Sequence, residues 1–103
     1  WTFANQLLDL GFHISFAKTL IRITDLEETA EKTPADRILL ETDAYPQRFK
    51  KNRDNWTEPR DIPIVAEKLA SLRNVSVQEI QHLTTENTLK MLDSRAAIVR
   101  SIL

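Results

Sequence analysis

The sequence predicts an α/β fold built on parallel strands. Three observations lead there. In Arg37-Ile38-Leu39-Leu40-Glu41-Thr42-Asp43, the consecutive apolar residues Ile38, Leu39 and Leu40 are followed at once by Glu41-Thr42-Asp43. A second short apolar segment, Phe12-His13-Ile14-Ser15-Phe16, precedes it with a helical stretch between the two. The second half of the chain shows helical spacing throughout. Consecutive apolar residues suit a strand covered on both faces, where a one-sided strand would alternate. A strand–helix–strand unit should be parallel with a right-handed crossover.

Taken in order, Phe3, Ala4, Leu7 and Leu8 share one helical face, and Gly11 is a natural stop. The strand over 12–16 follows. Thr24-Asp25-Leu26-Glu27 has the spacing of a capping box, so a helix is expected from about Asp25 to Lys32, closed by Pro34. The strand over 37–43 comes next and stops before a turn marked by Pro46. Asp61 is placed to cap a helix with Pro63 in its first turn. Ile62, Val65, Ala66, Leu69 and Ala70 form that helix's apolar stripe. Asn74 ends it, and Ser76-Val77-Gln78-Glu79 begins another helix as a capping box. Ile80, Leu83, Asn87 and Met91 lie on one face there, and the tail from about Ser94 is apolar enough to be helical.

Composition bounds the function. At 103 residues, 42% hydrophobic and 28% charged, the chain is one domain or part of one. A formal net charge of −1 gives no global sign of a nucleic-acid binder. With no cysteine, neither disulfides nor thiolate metal sites can form. No apolar run approaches the about 18 residues of a membrane span, so no membrane partner is expected and a cytoplasmic location is. The chain opens on Trp1 without a signal-peptide pattern, which suits a segment of a longer protein. Two strands alone leave open sheet edges and are marginal. The remainder of a larger sheet, or self-association, is expected to cover them.

Asp43 is the principal candidate site residue, because open α/β sheets and barrels keep ligands at the carboxyl ends of their strands. A strand that merely meets solvent would also end in polar residues. His13 reads as a packed or hydrogen-bonded strand residue and His82 as a solvated one. Arg48-Phe49-Lys50-Lys51-Asn52-Arg53, followed by Trp56 and Arg60, is a basic segment with aromatics, suited to phosphates and stacked bases. It also contains Asp54 and Glu58 and can be read as a solvated loop with a packed Trp56.

Several of these stretches together resemble the TatD-related metal-dependent hydrolases. Asp36-Arg37-Ile38-Leu39-Leu40-Glu41-Thr42-Asp43-Ala44 is similar to the family's last barrel strand, close to RLLLETDAP. Gly11-Phe12-His13-Ile14-Ser15-Phe16 is similar to its penultimate strand. Glu58-Pro59 resembles the N-E-P turn and Val65-Ala66-Glu67-Lys68-Leu69-Ala70 the helix after it. Ser76-Val77-Gln78-Glu79-Ile80 and Thr85-Glu86-Asn87 resemble the ending. The order and spacing match over residues 1–92. The chain departs from the pattern at Tyr45-Pro46, where the family has Pro-Tyr, and at Thr57, where it has Asn.

The resemblance implies the carboxyl-terminal part of a TIM-like (β/α)8 barrel, about two parallel strands plus helices, with residues 1–103 lying inside a single barrel domain. It implies a hydrolase using one or two divalent metal ions (Mg, Mn or Zn), most simply a deoxyribonuclease or phosphodiesterase acting on DNA or another phosphoester. It maps one metal-binding and catalytic residue onto this chain, Asp43, with Glu41 bracing rather than ligating. The family's histidine ligands match no residue here, so the isolated chain is expected to bind metal weakly and to lack turnover. The alternative is a catalytically inactive piece, or a small binding module using the basic loop 48–60.

Overall fold

The computed structural model describes residues 1–44, 48–52 and 56–103. The turn at Pro46, and Arg53 and Asp54 of the basic segment, lie outside the described residues.

Helix α1 spans Thr2–Asp9 and ends at Gly11, whose φ of +89° is open to glycine at little cost. The Gly11 amide donates to the Leu8 carbonyl and the Phe12 amide to that of Leu7, which satisfies the last free carbonyls of the helix. Strand β1 is Ile14–Phe16, helix α2 is Glu27–Lys32 and strand β2 is Ile38–Leu40. The strands are parallel and adjacent, with Ile14 opposite Ile38, Ser15 opposite Leu39 and Phe16 opposite Leu40. The expected strand–helix–strand unit is present. Its strands are shorter than the runs 12–16 and 37–43, because only three residue pairs find partners. His13 thus lies just before β1, not within it.

Helices α3 (Ile62–Arg73) and α4 (Val77–Leu92) pack over the sheet, and a short α5 (Ala96–Arg100) folds back on α4. The core joins Phe16, Leu20, Ala30, Ile38, Val65, Ala66, Leu69, Ala70 and Ile80, with Ile14 and Leu40 packed against it. Full burial of an aliphatic or aromatic side chain contributes about 1.5–3 kcal/mol, so this cluster dominates the cohesion of the unit. Alternation places Ser15 and Leu39 on the other face. Ser15 is exposed, Leu39 is half-buried, and neither belongs to the core. Among the described residues the helices cover one face of the sheet, where covering of both was expected.

Two capping expectations fail for an identifiable reason. No side-chain cap forms at the start of α2, which is entered through a 3₁₀ turn at Thr24–Leu26. The Glu27 carboxylate meets Lys68 of α3 at 2.6 Å instead. Asp61 does not cap α3 with its side chain; its carboxylate accepts from the Glu58 amide at 2.9 Å. The other ends follow expectation. Asn74 closes α3 in the left-handed region (φ 55°), and the Ser76 hydroxyl accepts the Glu79 amide at 3.1 Å.

On α4, Ile80 and Asn87 are buried but Met91 is 51% exposed. Leu89, off the expected stripe, is buried where the chain folds back, lining a groove with Leu92, Val99 and Leu103. Arg100 pairs with Glu86 at 3.1 Å beside it and holds the Glu86 carboxyl below its ordinary value.

Candidate functional site at the strand carboxyl ends

The parallel pairing brings the carboxyl ends of β1 and β2 to the same end of the sheet. The Glu41 amide donates to the Phe16 carbonyl at 3.0 Å, extending the ladder one residue beyond β2. Exposure then alternates: Glu41 and Asp43 are exposed and Thr42 is half-buried. Asp43 therefore stands two residues past the last ladder bond and three past β2, beyond the strand it was expected to end. Among the described residues it makes no ion pair.

Two residues beyond the end of β1 stands Lys18, which the sequence reading passed over. Its ammonium donates to Asp61 Oδ2 at 2.9 Å and to the Trp56 carbonyl at 3.5 Å. The Glu58 amide, then Lys18, hold the Asp61 carboxyl below its ordinary value of 3.8, against a smaller opposing effect of burial. The Trp56 indole N–H donates to the Lys50 carbonyl at 3.0 Å. A chain of contacts thus ties the described ends of the basic segment to the carboxyl end of β1. Trp56 is half-buried, as in the packed reading of that residue. Phe49 is 70% exposed. No local pattern announces Lys18, since its partners lie about 40 residues away.

The histidines do not join this region as ligands. His13 is half-buried before β1, and His82 is exposed on α4, the solvated position expected for it. Among the described residues no three His, Asp or Glu side chains come together as a metal-binding group. Asp43 fits one oxygen donor for a divalent cation, which takes about four ligands for Zn and about six for Mg. The described residues do not make a complete site.

A family model described as TatD related DNase matches residues 1–93. The fold is that of an α/β segment with a parallel strand pair, and the match shows that the chain belongs to the TatD-related DNase family. It is 37% identical over 106 residues to YcfH of Escherichia coli, named an uncharacterized metal-dependent hydrolase, covering 96% of this chain and 38% of that protein. It is 32% identical to a similarly named Bacillus subtilis protein, YabD, covering 85% of this chain and 35% of the relative. Human deoxyribonuclease TATDN3 is 33% identical over 81 residues, 79% of this chain and 29% of its own length. The chain thus spans about a third of the relatives it matches. Among the described residues no helix is long and apolar enough to cross a membrane.

Proposed function

We propose that the chain is the carboxyl-terminal strand-and-helix portion of a TatD-like, divalent-metal-dependent hydrolase, acting on DNA or another phosphodiester. In this reading residues 1–103 lie within a single TIM-like barrel domain. The remaining strands cover the bare face at Ser15 and Leu39 and the open edges of β1 and β2. Self-association is the other means of covering them. A cytoplasmic location accompanies the proposal.

The observation behind it is the placement of Asp43. It is an exposed carboxylate just past a parallel strand, at the sheet end where such folds bind ligands, on a chain whose family relatives are named metal-dependent hydrolases. A bound divalent cation would supply the charge that brings a water's pKa towards neutrality. Asp43 would offer one anionic oxygen to hold that cation and would accept the water's proton. The cation would be Mg, Mn or Zn: a carboxylate oxygen suits Mg and Mn, and histidines beside it would favour Zn. Those histidines would come from outside the matched residues, so the 103-residue chain alone should bind metal weakly and cleave nothing. Glu41, tied by its amide to β1, is assigned a bracing role.

The test is a chimera in which the matching segment of human TATDN3 is replaced by the corresponding residues of this chain. Asp43→Asn keeps size and removes the charge and the proton acceptor. Loss of general-base help alone should lower kcat/KM on a phosphodiester by about 10²–10⁴, with bound metal falling as well. Glu41→Gln should cost less. Unchanged activity and metal content in the Asp43→Asn chimera would refute the assignment.

A further inference from the structure

The helical half of the chain carries an apolar stripe that the fold interrupts. Leu89, Leu92, Ala96, Val99 and Leu103 recur at alternating steps of three and four, the spacing of one seam along a continuous helix. Residues 77–103 contain neither glycine nor proline, the residues that most often end a helix. The structure nonetheless breaks the stripe at Asp93. There φ is 52° and ψ is −121°, a backbone that glycine adopts freely and an aspartate holds under strain. The break stands where the family match ends, at residue 93.

Beyond the break α5 turns back on α4, and the two halves of the stripe meet. Val99 and Leu103 line one groove with Leu89 and Leu92, closed off by Leu40 and Ile62. The closure is partial. About 280 Å³ of the groove stays open, Leu103 is 83% exposed, and Ile98 and Ile102 are 70% and 80% exposed. Besides these apolar contacts, the Arg100 guanidinium donates to the Glu86 carboxylate at 3.1 and 3.5 Å. Both groups are partly exposed, where an ion pair adds little. The closed hairpin thus sets a strained hinge against a shallow clasp.

We infer that α4 and α5 open at Asp93 into one helix, and that the groove then receives the tail of a second copy of this chain. Every contact of the clasp survives the exchange. Val99 and Leu103 of one copy meet Leu89 and Leu92 of the other, and Arg100 of each meets Glu86 of the other. The pairing is self-complementary in shape and charge, as a two-fold dimer requires. Asp93 regains ordinary helical backbone in both copies, and Arg95, Ala96 and Ala97 after it are strong helix formers. Opposing the exchange is the effective concentration of a chain's own tail, about millimolar for a short connection. Two relieved hinges offset it. This contact between helices is distinct from pairing of the open sheet edges, and it needs neither metal nor Asp43.

The experiment is sedimentation equilibrium of the 103-residue chain up to about 1 mM, the scale of that effective concentration. Wild type should pass reversibly from monomer to dimer. Asp93→Gly removes the strain from the closed hinge and weakens the open helix, so its dimer should be weaker by about 5- to 150-fold for each hinge. Asp93→Ala penalises the positive φ and favours the helix, so it should dimerise more tightly than wild type. Glu86→Arg and Arg100→Glu each set like charges across the clasp. Mixed in equal amounts, they restore both ion pairs only in a heterodimer, which should be about 3- to 30-fold tighter than either homodimer. A wild type still monomeric at about 1 mM would overturn the inference. So would a dimer indifferent to Asp93→Gly, or a mixture no tighter than its components, and either result would point to paired sheet edges instead. The chimera's activity and metal content enter none of these readings, so the Asp43 assignment stands or falls separately.

Discussion

Asn87 and Asp43 are both polar side chains set against β2, and the fold treats them in opposite ways. Asn87 is 4% exposed, and its amide donates to the Ala35 carbonyl at 2.8 Å and the Ile38 carbonyl at 2.9 Å. It fastens α4 to the entrance of β2. Arg73 works similarly on the same side of the sheet, donating to the carbonyls of Ala30, Glu31 and Thr33 where α2 ends. At the other end of β2, Asp43 faces solvent. A buried polar group is retained where its hydrogen bonds are satisfied and help specify packing. An exposed carboxylate with no such duty adds little to folding. The contrast separates the residues that hold the unit together from a carboxylate that, among the described residues, takes no part in doing so.

The sharpest way to break this comparison is to remove the buried amide. Asn87→Ala leaves the Ile38 carbonyl short of a partner in a closed interface, and an unsatisfied buried group costs about 1–3 kcal/mol. With the lost packing, a total of about 2–3 kcal/mol is expected. For a domain of this size each 1 kcal/mol moves Tm by about 4–8 °C, so a fall of about 10–20 °C should appear in a thermal melt followed by circular dichroism. A fall of less than about 3 °C would mean that Asn87 is not a fastening.

Particular residues show how much could be read from the sequence. Ile38-Leu39-Leu40 announces a strand by itself, and the helix between it and Ile14–Phe16 announces parallel pairing, which the structure has. Asn74 and Gly11 mark helix ends because the left-handed backbone they adopt is local chemistry. The side-chain partners were not legible. Glu27 carries a good capping pattern, yet its carboxylate is drawn to Lys68, 41 residues away, and the Asp61 carboxylate caps the Glu58 amide in the turn before α3, not α3 itself, while pairing with Lys18, 43 residues away. Met91 fits the stripe of α4 and stays exposed, while Leu89 is buried by a tail whose reversal at Asp93 (φ 52°) no helical period foretells. For the site, the position of Asp43 was legible because strand polarity fixes it. The anchoring of the basic segment through Lys18 was not, because it is made across the fold.

The pair Lys18–Asp61 lies between the two extremes, partly exposed yet joining the strand end to the turn before α3. Its contribution should depend on pH in a definite direction. The Asp61 carboxyl is held below 3.8 in the folded protein. Its share of stability is therefore present above that ordinary value and is lost as pH falls through the lower folded value. Lys18→Met removes one of the causes. Melts from pH 2 to 7 should show the variant below wild type at neutral pH, with the gap closing towards pH 2. Glu28 and Glu86 are also held low, by Lys32 and Arg100. They titrate alike in both proteins, so the difference curve isolates the Asp61 pair. A gap that stays constant down to pH 2 would show that Lys18 acts through packing alone.

The smallest expected effect is the most discriminating. Asp43→Asn removes a charge that, among the described residues, no cation compensates and no buried contact uses. Surface substitutions of this kind stay within about 0.5 kcal/mol, which for this chain length is a Tm change of no more than about 2–4 °C. If Asp43→Asn instead lowered Tm as far as Asn87→Ala, Asp43 would be a structural carboxylate and the contrast between the two ends of β2 would collapse. Indifference of stability to Asp43→Asn, together with a large loss of activity and metal in the chimera, is the combination a fastening residue cannot produce. A residue kept for chemistry should show both.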